Sequence, residues 1–401
     1  MKNWDRILLF DGSMGALLGS MGYDAVCPDE MTVTHPDVIQ SIHERYLEAG
    51  ANVVISDSFG STEMALRHKK KSGMGATFAR RAVEIARKAA GGSALVAADI
   101  GPTSEFMAPV GAYEFEDFYK TFSEQARAAK DAGADFAIIE TQTDVAECRA
   151  ACMACRDAGL DAAASFSIAS NGRTLTGSSP EVCALTLQSA GAFAVGLNCS
   201  SGPDEMLSPL CRMRAVTPLP VIVQPNAGLP QTAPDGRVFY PFSPEAMLAS
   251  MRAIVDAGAS AIGGCCGTTP DHIRAISVLA GGTLPSSAWD GKEYVCSARS
   301  FAPLSDAVSG IAEIEDAEDA YDVDEDATMI LLNLNGLSPD EARELARDTA
   351  AATRLPLGFR ADASALEALE AALRVYPGVA AVSASAEARE IAFRYGARII
   401  A

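Results

Sequence analysis

The stretch DAGADFAIIE, residues 131–140, decides the fold of this chain. Its opening phrase recurs as EAGA at 48–51, DAGL at 157–160, SAGA at 189–192 and DAGA at 256–259. Each copy closes a stretch of helical periodicity and opens a short, β-prone apolar run. The glycine fits a left-handed helix C-cap, after which the chain turns directly into a buried strand. Working outward, eight such runs end near Asp11, Asp57, Asp99, Glu140, Ser167, Asn198, Gln224 and Gly264. Apolar runs without polar alternation suit strands covered on both faces, as in a parallel sheet. Eight strand–helix units in about 270 residues match the size of a (β/α)8 TIM barrel. A doubly wound sheet is the alternative, because periodicity alone does not show closure.

Length and charge set the frame around that repeat. At 401 residues the chain is too long for one ordinary core and predicts two or three domains. With 32 basic and 52 acidic residues it carries a net charge of -20. Such a surface repels phosphate backbones and anionic lipid, so neither a nucleic-acid partner nor a polybasic membrane anchor is expected. No run is long and apolar enough to span a bilayer, and the opening MKNWDRILLFDG lacks a signal-peptide core. Ten cysteines are too sparse for a disulfide scaffold. A reduced, cytoplasmic protein is the expectation.

The charge also marks a boundary. Residues 300–401 hold 19 acidic and 8 basic side chains, and nine of those acids fall within EIEDAEDAYDVDED, 313–326. This predicts a barrel over 1–297, a solvated acidic linker over 298–327, and a small open α/β module over 328–401. A docking segment for a basic partner is the alternative for the acidic run. In the module, Ser338 is a good N-cap with Pro339 at the first helical position.

In a parallel barrel the chemistry gathers at the C-terminal ends of the strands. Those ends carry Asp11, Asp57, Asp99, Glu140, Asn198-Cys199, Gln224 and Cys265-Cys266. Zinc favours soft thiolate ligands, and a catalytic zinc keeps three protein ligands and one open position. Adjacent cysteines in a strand face opposite ways, but Gly263, Gly264 and Gly267 can relax the backbone so that both turn to the mouth. The bland alternative is that each cysteine is a small buried hydrophobe. That reading is preferred for Cys148, Cys152 and Cys155, which share one face of a predicted helix. Cys27, Cys183, Cys211 and Cys296 show no partner spacing, and His272 reads as part of a solvated helix N-terminus.

Three stretches then resemble a known family. DGSMGALL at 11–18, LNC at 197–199 and GGCCGTTPDHI at 263–273 are similar to the signatures of the homocysteine S-methyltransferase family. Its barrel also occurs in cobalamin-dependent methionine synthase and in enzymes that use betaine or S-methylmethionine. The resemblance covers roughly 3–290. It implies a zinc barrel, with Cys199, Cys265 and Cys266 as both metal ligands and catalytic centre. It further implies that Glu140 binds the amino group of homocysteine, that Asp11 and the backbone amides of Gly12 and Ser13 hold the amino-acid end, and that Asn198 supports the zinc site. Ala16 and Asp57 depart from the family's usual Thr and Asn, at the mouth but away from the metal.

The implied reaction is methylation of homocysteine to methionine. No Asp-x-His-x-x-Gly stretch, the usual cobalamin-ligating signature, occurs in the chain, so methylcobalamin would arrive in trans on a separate corrinoid protein. Two alternatives stand beside this reading. One keeps the zinc but uses S-methylmethionine or betaine as donor, or another thiol as acceptor. The other is a non-catalytic zinc scaffold, which would not need the amino-acid-binding acids. Residues 328–401 weakly resemble part of a pterin-binding domain, with about half the strands required, and folate binding is not inferred.

Overall fold

The apolar runs become strands at the expected places in the computed structural model, which describes residues 4–23, 26–234, 236 and 238–400. Seven come first: β1 (Leu8–Leu9), β2 (Val53–Ile55), β3 (Leu95–Ile100), β4 (Phe136–Gln142), β5 (Ala162–Phe166), β6 (Ala194–Asn198) and β7 (Val221–Gln224). A small hairpin, β8 (Gln231–Thr232) and β9 (Val238–Phe239), precedes the eighth barrel strand, β10 (Ala261–Ile262). The sheet order is β1-β10-β7-β6-β5-β4-β3-β2. Phe10 bridges Val53 in parallel, and Asn52 N–H donates to the Leu9 carbonyl at 2.9 Å. These bonds join β1 to β2, so the sheet closes on itself. The barrel replaces the doubly wound alternative.

The interior shows why the runs lack polar alternation. Phe136 packs edge-on against Phe10, ring centroids 6.2 Å apart, and against Phe193 at 5.5 Å. Ala97, Ala163, Ala194 and Ala261 face the same interior cluster and leave room for those rings. The outward side chains meet the surrounding helices, and both strand faces are dry. The recurring glycine acts as expected at the helix ends: Gly133 has φ 89° and Gly258 has φ 102°, values at which a side chain is strained. Cys148, Cys152 and Cys155 lie in the helix Val145–Asp157, at most 1% exposed, as packing residues of this outer layer.

The C-terminal part differs from the expected linker and module. A hairpin, β11 (Tyr294–Cys296) with β12 (Phe301–Pro303), leads into a parallel sheet. That sheet runs β13 (Ile311–Ile314), β14 (Met329–Asn333), β15 (Leu357–Ala361), β16 (Ala381–Ala384) and β17 (Arg398–Ile400), in sequential order. Its first strand comes from the stretch expected to be linker. Glu313 is exposed on this edge strand and ion-pairs with Arg360 of β15, 2.9 and 2.5 Å for the two bonds. A charged edge strand has the composition of a solvated segment, which hid it from the sequence pattern. The expected boundary at 297 also cuts a hairpin: Cys296 bridges Val379 of the module, while β11 packs on the barrel helix Pro180–Ser189.

Candidate active site at the barrel mouth

The three cysteines of the sequence argument meet at one side of the mouth. Cys199 follows β6 and Cys265-Cys266 follow β10, and between these strands runs the end of β7. Residues 224–227 stitch the two turns together. Cys199 N–H donates to the Gln224 carbonyl at 3.2 Å, Cys265 N–H to Pro225 O at 2.8 Å, and Ala227 N–H to Cys266 O at 3.0 Å. Cys266 N–H donates to the Asn226 side chain at 3.1 Å. Cys199 itself takes φ 57° and Ser200 φ 52°. That left-handed turn costs a non-glycine residue energy and aims the Cys199 sulfur back at the pair.

The result is three Sγ atoms within 4.8 Å of one another, with Cys199 and Cys266 3.9 Å apart. Hydrogen bonds from Cys199 and Cys265 pull the Cys266 thiol down to about 3, while Cys265 moves up. The three thiols thus shift one another in opposite directions, as sulfurs in mutual contact do. Asn198, fully buried, sits beside them. Its Oδ1 accepts from Thr141 N–H at 2.8 Å and from the Ser165 hydroxyl at 2.8 Å, and its Nδ2 points to Cys265 Sγ at 4.0 Å.

The sulfurs share a cavity of about 320 Å³ with Asp11, Gly12, Ser13 and Glu140. Asp11 Oδ2 accepts from Ile55 N–H at 2.9 Å, while its Oδ1 is buried without a partner. Burial raises the Asp11 carboxyl, opposed by the Ile55 hydrogen bond and reinforced by Glu140. Glu140 is pushed up to about 7 by burial and by Cys199. Ser13 N–H donates to Thr268 Oγ1 at 3.1 Å, and its hydroxyl caps the helix Met14–Ser20. That amide is already engaged by the double-cysteine turn.

Several residues of the site escaped the sequence reading. Asp29 lines the cavity, accepting from Gly60 N–H and the Ser61 hydroxyl, both at 2.8 Å. Lys69 Nζ lies 3.4 Å from the other oxygen of Asp29. Asp57 and Asp99 were visible only as strand ends, and each keeps one buried oxygen unpartnered. Thr141, at φ 57°, turns the backbone after Glu140 and grips Asn198. A reading of strand ends finds Asp57 and Asp99. Asp29 comes from the single 3-10 turn Pro28–Glu30, 20 residues past the end of β1, and leaves no periodic trace.

A closed barrel with a cysteine cluster and buried carboxylates in a cavity at the C-terminal ends of its strands has the build of a barrel enzyme's active site. The family model described as homocysteine S-methyltransferase matches residues 8–279. Methionine synthase of Mycobacterium leprae (strain TN) is 30% identical over 305 residues, 70% of this chain. Methionine synthase of Mycobacterium tuberculosis is 31% identical over 298 residues, 68% of this chain. The matches span only 25% and 24% of those two proteins. The crystal structure of metallated homocysteine methyltransferase MmuM from Escherichia coli superimposes with a TM-score of 0.59 at 26% identity, covering 68% of this chain and 96% of that one. The chain belongs to the homocysteine S-methyltransferase family. Among the described residues no helix is long and apolar enough to cross a membrane.

Proposed function

We propose that this chain converts homocysteine to methionine on a zinc ion held by Cys199, Cys265 and Cys266, using a methyl group brought by a separate corrinoid protein. The sulfur trio carries the reading. A tetrahedral zinc with bonds of about 2.3 Å places its sulfur ligands roughly 3.8 Å apart, close to the 3.9 Å between Cys199 and Cys266. The donor set is all sulfur, on turns held by backbone bonds, with Asn198 as an outer partner of Cys265. Zinc, when bound there, favours the thiolate form of a coordinated sulfur near neutral pH.

The chain's own groups account for the substrate's other end. Glu140 and the unpartnered oxygen of Asp11 offer acceptors to an ammonium group, and its positive charge would return both acids to their ionised form. Gly12 has no side chain where a Cβ would strike Thr268 and Tyr46, which lets the turn after β1 pack against the double-cysteine turn. In the transfer the substrate sulfur gives up its proton and attacks the methyl carbon from behind. The carbon–donor bond breaks and its electron pair leaves with the donor.

A second reading is favoured by Asp57 and Asp99. Two further carboxylates with buried, unpartnered oxygens exceed what one ammonium requires, and suit a cationic sulfonium or quaternary ammonium donor. Metal analysis, zinc-edge spectroscopy with and without homocysteine, and methionine formation from methylcobalamin, S-methylmethionine or betaine decide between them. We expect about one zinc per chain, a new Zn–S contact with homocysteine, and loss of metal in Cys265→Ser. Methionine from methylcobalamin supports the first reading, and methionine from an onium donor alone supports the second. An unchanged zinc edge on adding homocysteine defeats the acceptor assignment in both.

A further inference from the structure

The cavity at the mouth has two halves that one acceptor molecule must span. In the proposed reaction its sulfur meets the double-cysteine turn, and its amino-acid end meets the turn after β1, which carries Asp11. The strand ends are joined once through the backbone, where Gly264 N–H donates to the Asp11 carbonyl at 3.0 Å. Past that bond the turns are tied by two fully buried side chains, Thr268 and Tyr46.

The Thr268 hydroxyl gives its one proton to the Cys265 carbonyl at 2.7 Å. The same oxygen accepts from Ser13 N–H at 3.1 Å, so one bond to each turn fixes its rotor. A Cβ on Gly12 would fall 2.6 Å from Thr268 Oγ1, and one on Gly264 would fall 2.4 Å from it. Two glycines, one in each turn, thus leave the space that this hydroxyl fills. Tyr46, from the helix Pro36–Glu48, adds a second tie. Its hydroxyl donates to the Ser13 carbonyl at 2.9 Å and shares that proton with the Thr268 carbonyl at 3.2 Å.

Thr268 is itself held from the far side. The sequence predicts His272 at a solvated helix start, but the residue is only 7% exposed. Thr269 N–H donates to its Nδ1 at 3.2 Å, which places the ring proton on Nε2. Nε2 donates to the Phe242 carbonyl at 2.9 Å. The buried imidazole therefore anchors the start of the helix Pro270–Ile276, two residues past Thr268.

We infer that Thr268, supported by Tyr46, is a positioning residue that sets the span between the two turns, so that zinc and the amino-acid end of the acceptor each help the other to bind. The inference rests on the proposed function, because it takes Cys265 and Cys266 as zinc ligands and the Asp11 turn as the holder of the amino-acid end. Thr268 acts through the Cys265 carbonyl and the Ser13 amide. Zinc that orders the double-cysteine turn also orders the Ser13 turn through this hydroxyl, and the amino acid then pays less to order it. Linkage makes the gain equal in both directions.

The probe is L-2-aminobutyrate, which is homocysteine without its sulfur: it fills the amino-acid end and offers zinc no thiolate. Its binding to the zinc-loaded and the metal-stripped full chain is measured by calorimetry, and zinc affinity is measured by chelator competition with and without it. The wild type should bind the probe about fivefold or more tightly with zinc present, and zinc more tightly by the same factor with the probe present. In Thr268→Ala that factor should fall to about one. Thr268→Ser, which differs from Thr268→Ala by the oxygen alone, should recover it, and Tyr46→Phe should lower it partway. A wild-type factor in Thr268→Ala, no recovery in Thr268→Ser, or a wild-type chain that binds both ligands without coupling overturns the inference. Should Thr268→Ala fail to fold, an unchanged factor in Tyr46→Phe overturns it. A wild-type chain that takes no zinc, or no probe, defeats the proposed function in its metal or its acceptor half, and the inference falls with it.

Discussion

Asp57 shows at the scale of one residue how the mouth stores energy for a ligand. Its Oδ2 is buried without a donor, and burial, with Asp29 nearby and Lys69 opposing, pushes the carboxyl up to about 8. An acid raised on folding binds more protons folded than unfolded between its two pKa values, so stability falls as pH rises through that window. Here the window runs from the ordinary 3.8 to about 8. Asp57→Asn should therefore melt higher than the parent at pH 8, by roughly 2–4 °C, with the gap closing toward pH 4. Calorimetry of the ligand-free chain across that range checks it, and an equal gap at both ends contradicts the assignment. Strand-end residues such as Asp57, Glu140 and Cys199 were legible because a strand end is a position in the sequence. Asp29 was not, since only the packing of segments far apart in the chain brings it to the cavity, and the left-handed backbone of Thr141 is a conformation its side chain does not announce.

At the scale of elements, the barrel strands are short and their side chains carry the closure. Phe136 stands at the centre of the interior, meeting Phe10 above and Phe193 below. Phe136→Ala leaves a cavity among alanines that cannot collapse onto it and should cost about 3–5 kcal/mol, read as a lower denaturant midpoint. A loss under about 1 kcal/mol would mean that the interior repacks freely. The eight strands were readable because burial on both faces leaves an uninterrupted apolar run, and the repeated glycine punctuates it. β13 was not. An edge strand reading Ile-Ala-Glu-Ile, with Ile311 and Glu313 exposed, is indistinguishable by composition from the acids around it. Only its register against β14 and the Glu313–Arg360 pair reveal it.

For the whole molecule, one buried side chain ties the C-terminal module to the barrel at two carbonyls. Arg149, in the middle of a barrel helix, is 2% exposed. Its guanidinium donates to the carbonyls of Arg374 at 2.6 Å and Leu373 at 2.7 Å, at the end of the module helix Leu366–Val375. Those carbonyls lack partners within their own helix, so a cation at that end satisfies both hydrogen bonding and the helix dipole. Arg374 reaches back to Glu116 and stacks over Tyr119 at 4.4 Å. Arg149→Ala should cost about 1.5–3 kcal/mol and speed proteolysis between 280 and 300, where the barrel passes into the β11–β12 hairpin. Unchanged cleavage would show that the hairpin alone seats the module. In the sequence, Arg149 is one polar letter within an alanine- and cysteine-rich helix, and nothing local says that its partner lies 225 residues on.

The sequence by itself determined the number and order of the barrel strands, the helix ends between them, and which strand ends carry sulfur and carboxylate. Each of these depends on near neighbours in the chain: a run of apolar residues, a glycine that permits a left-handed turn, a residue placed just after a strand. Only the tertiary structure decided that the sheet closes, that three sulfurs from two turns converge, that Ser13 gives its amide to Thr268, and that an acidic stretch supplies a strand. These outcomes depend on contacts between residues far apart in the chain, whose energies are set by packing and burial that no local pattern records.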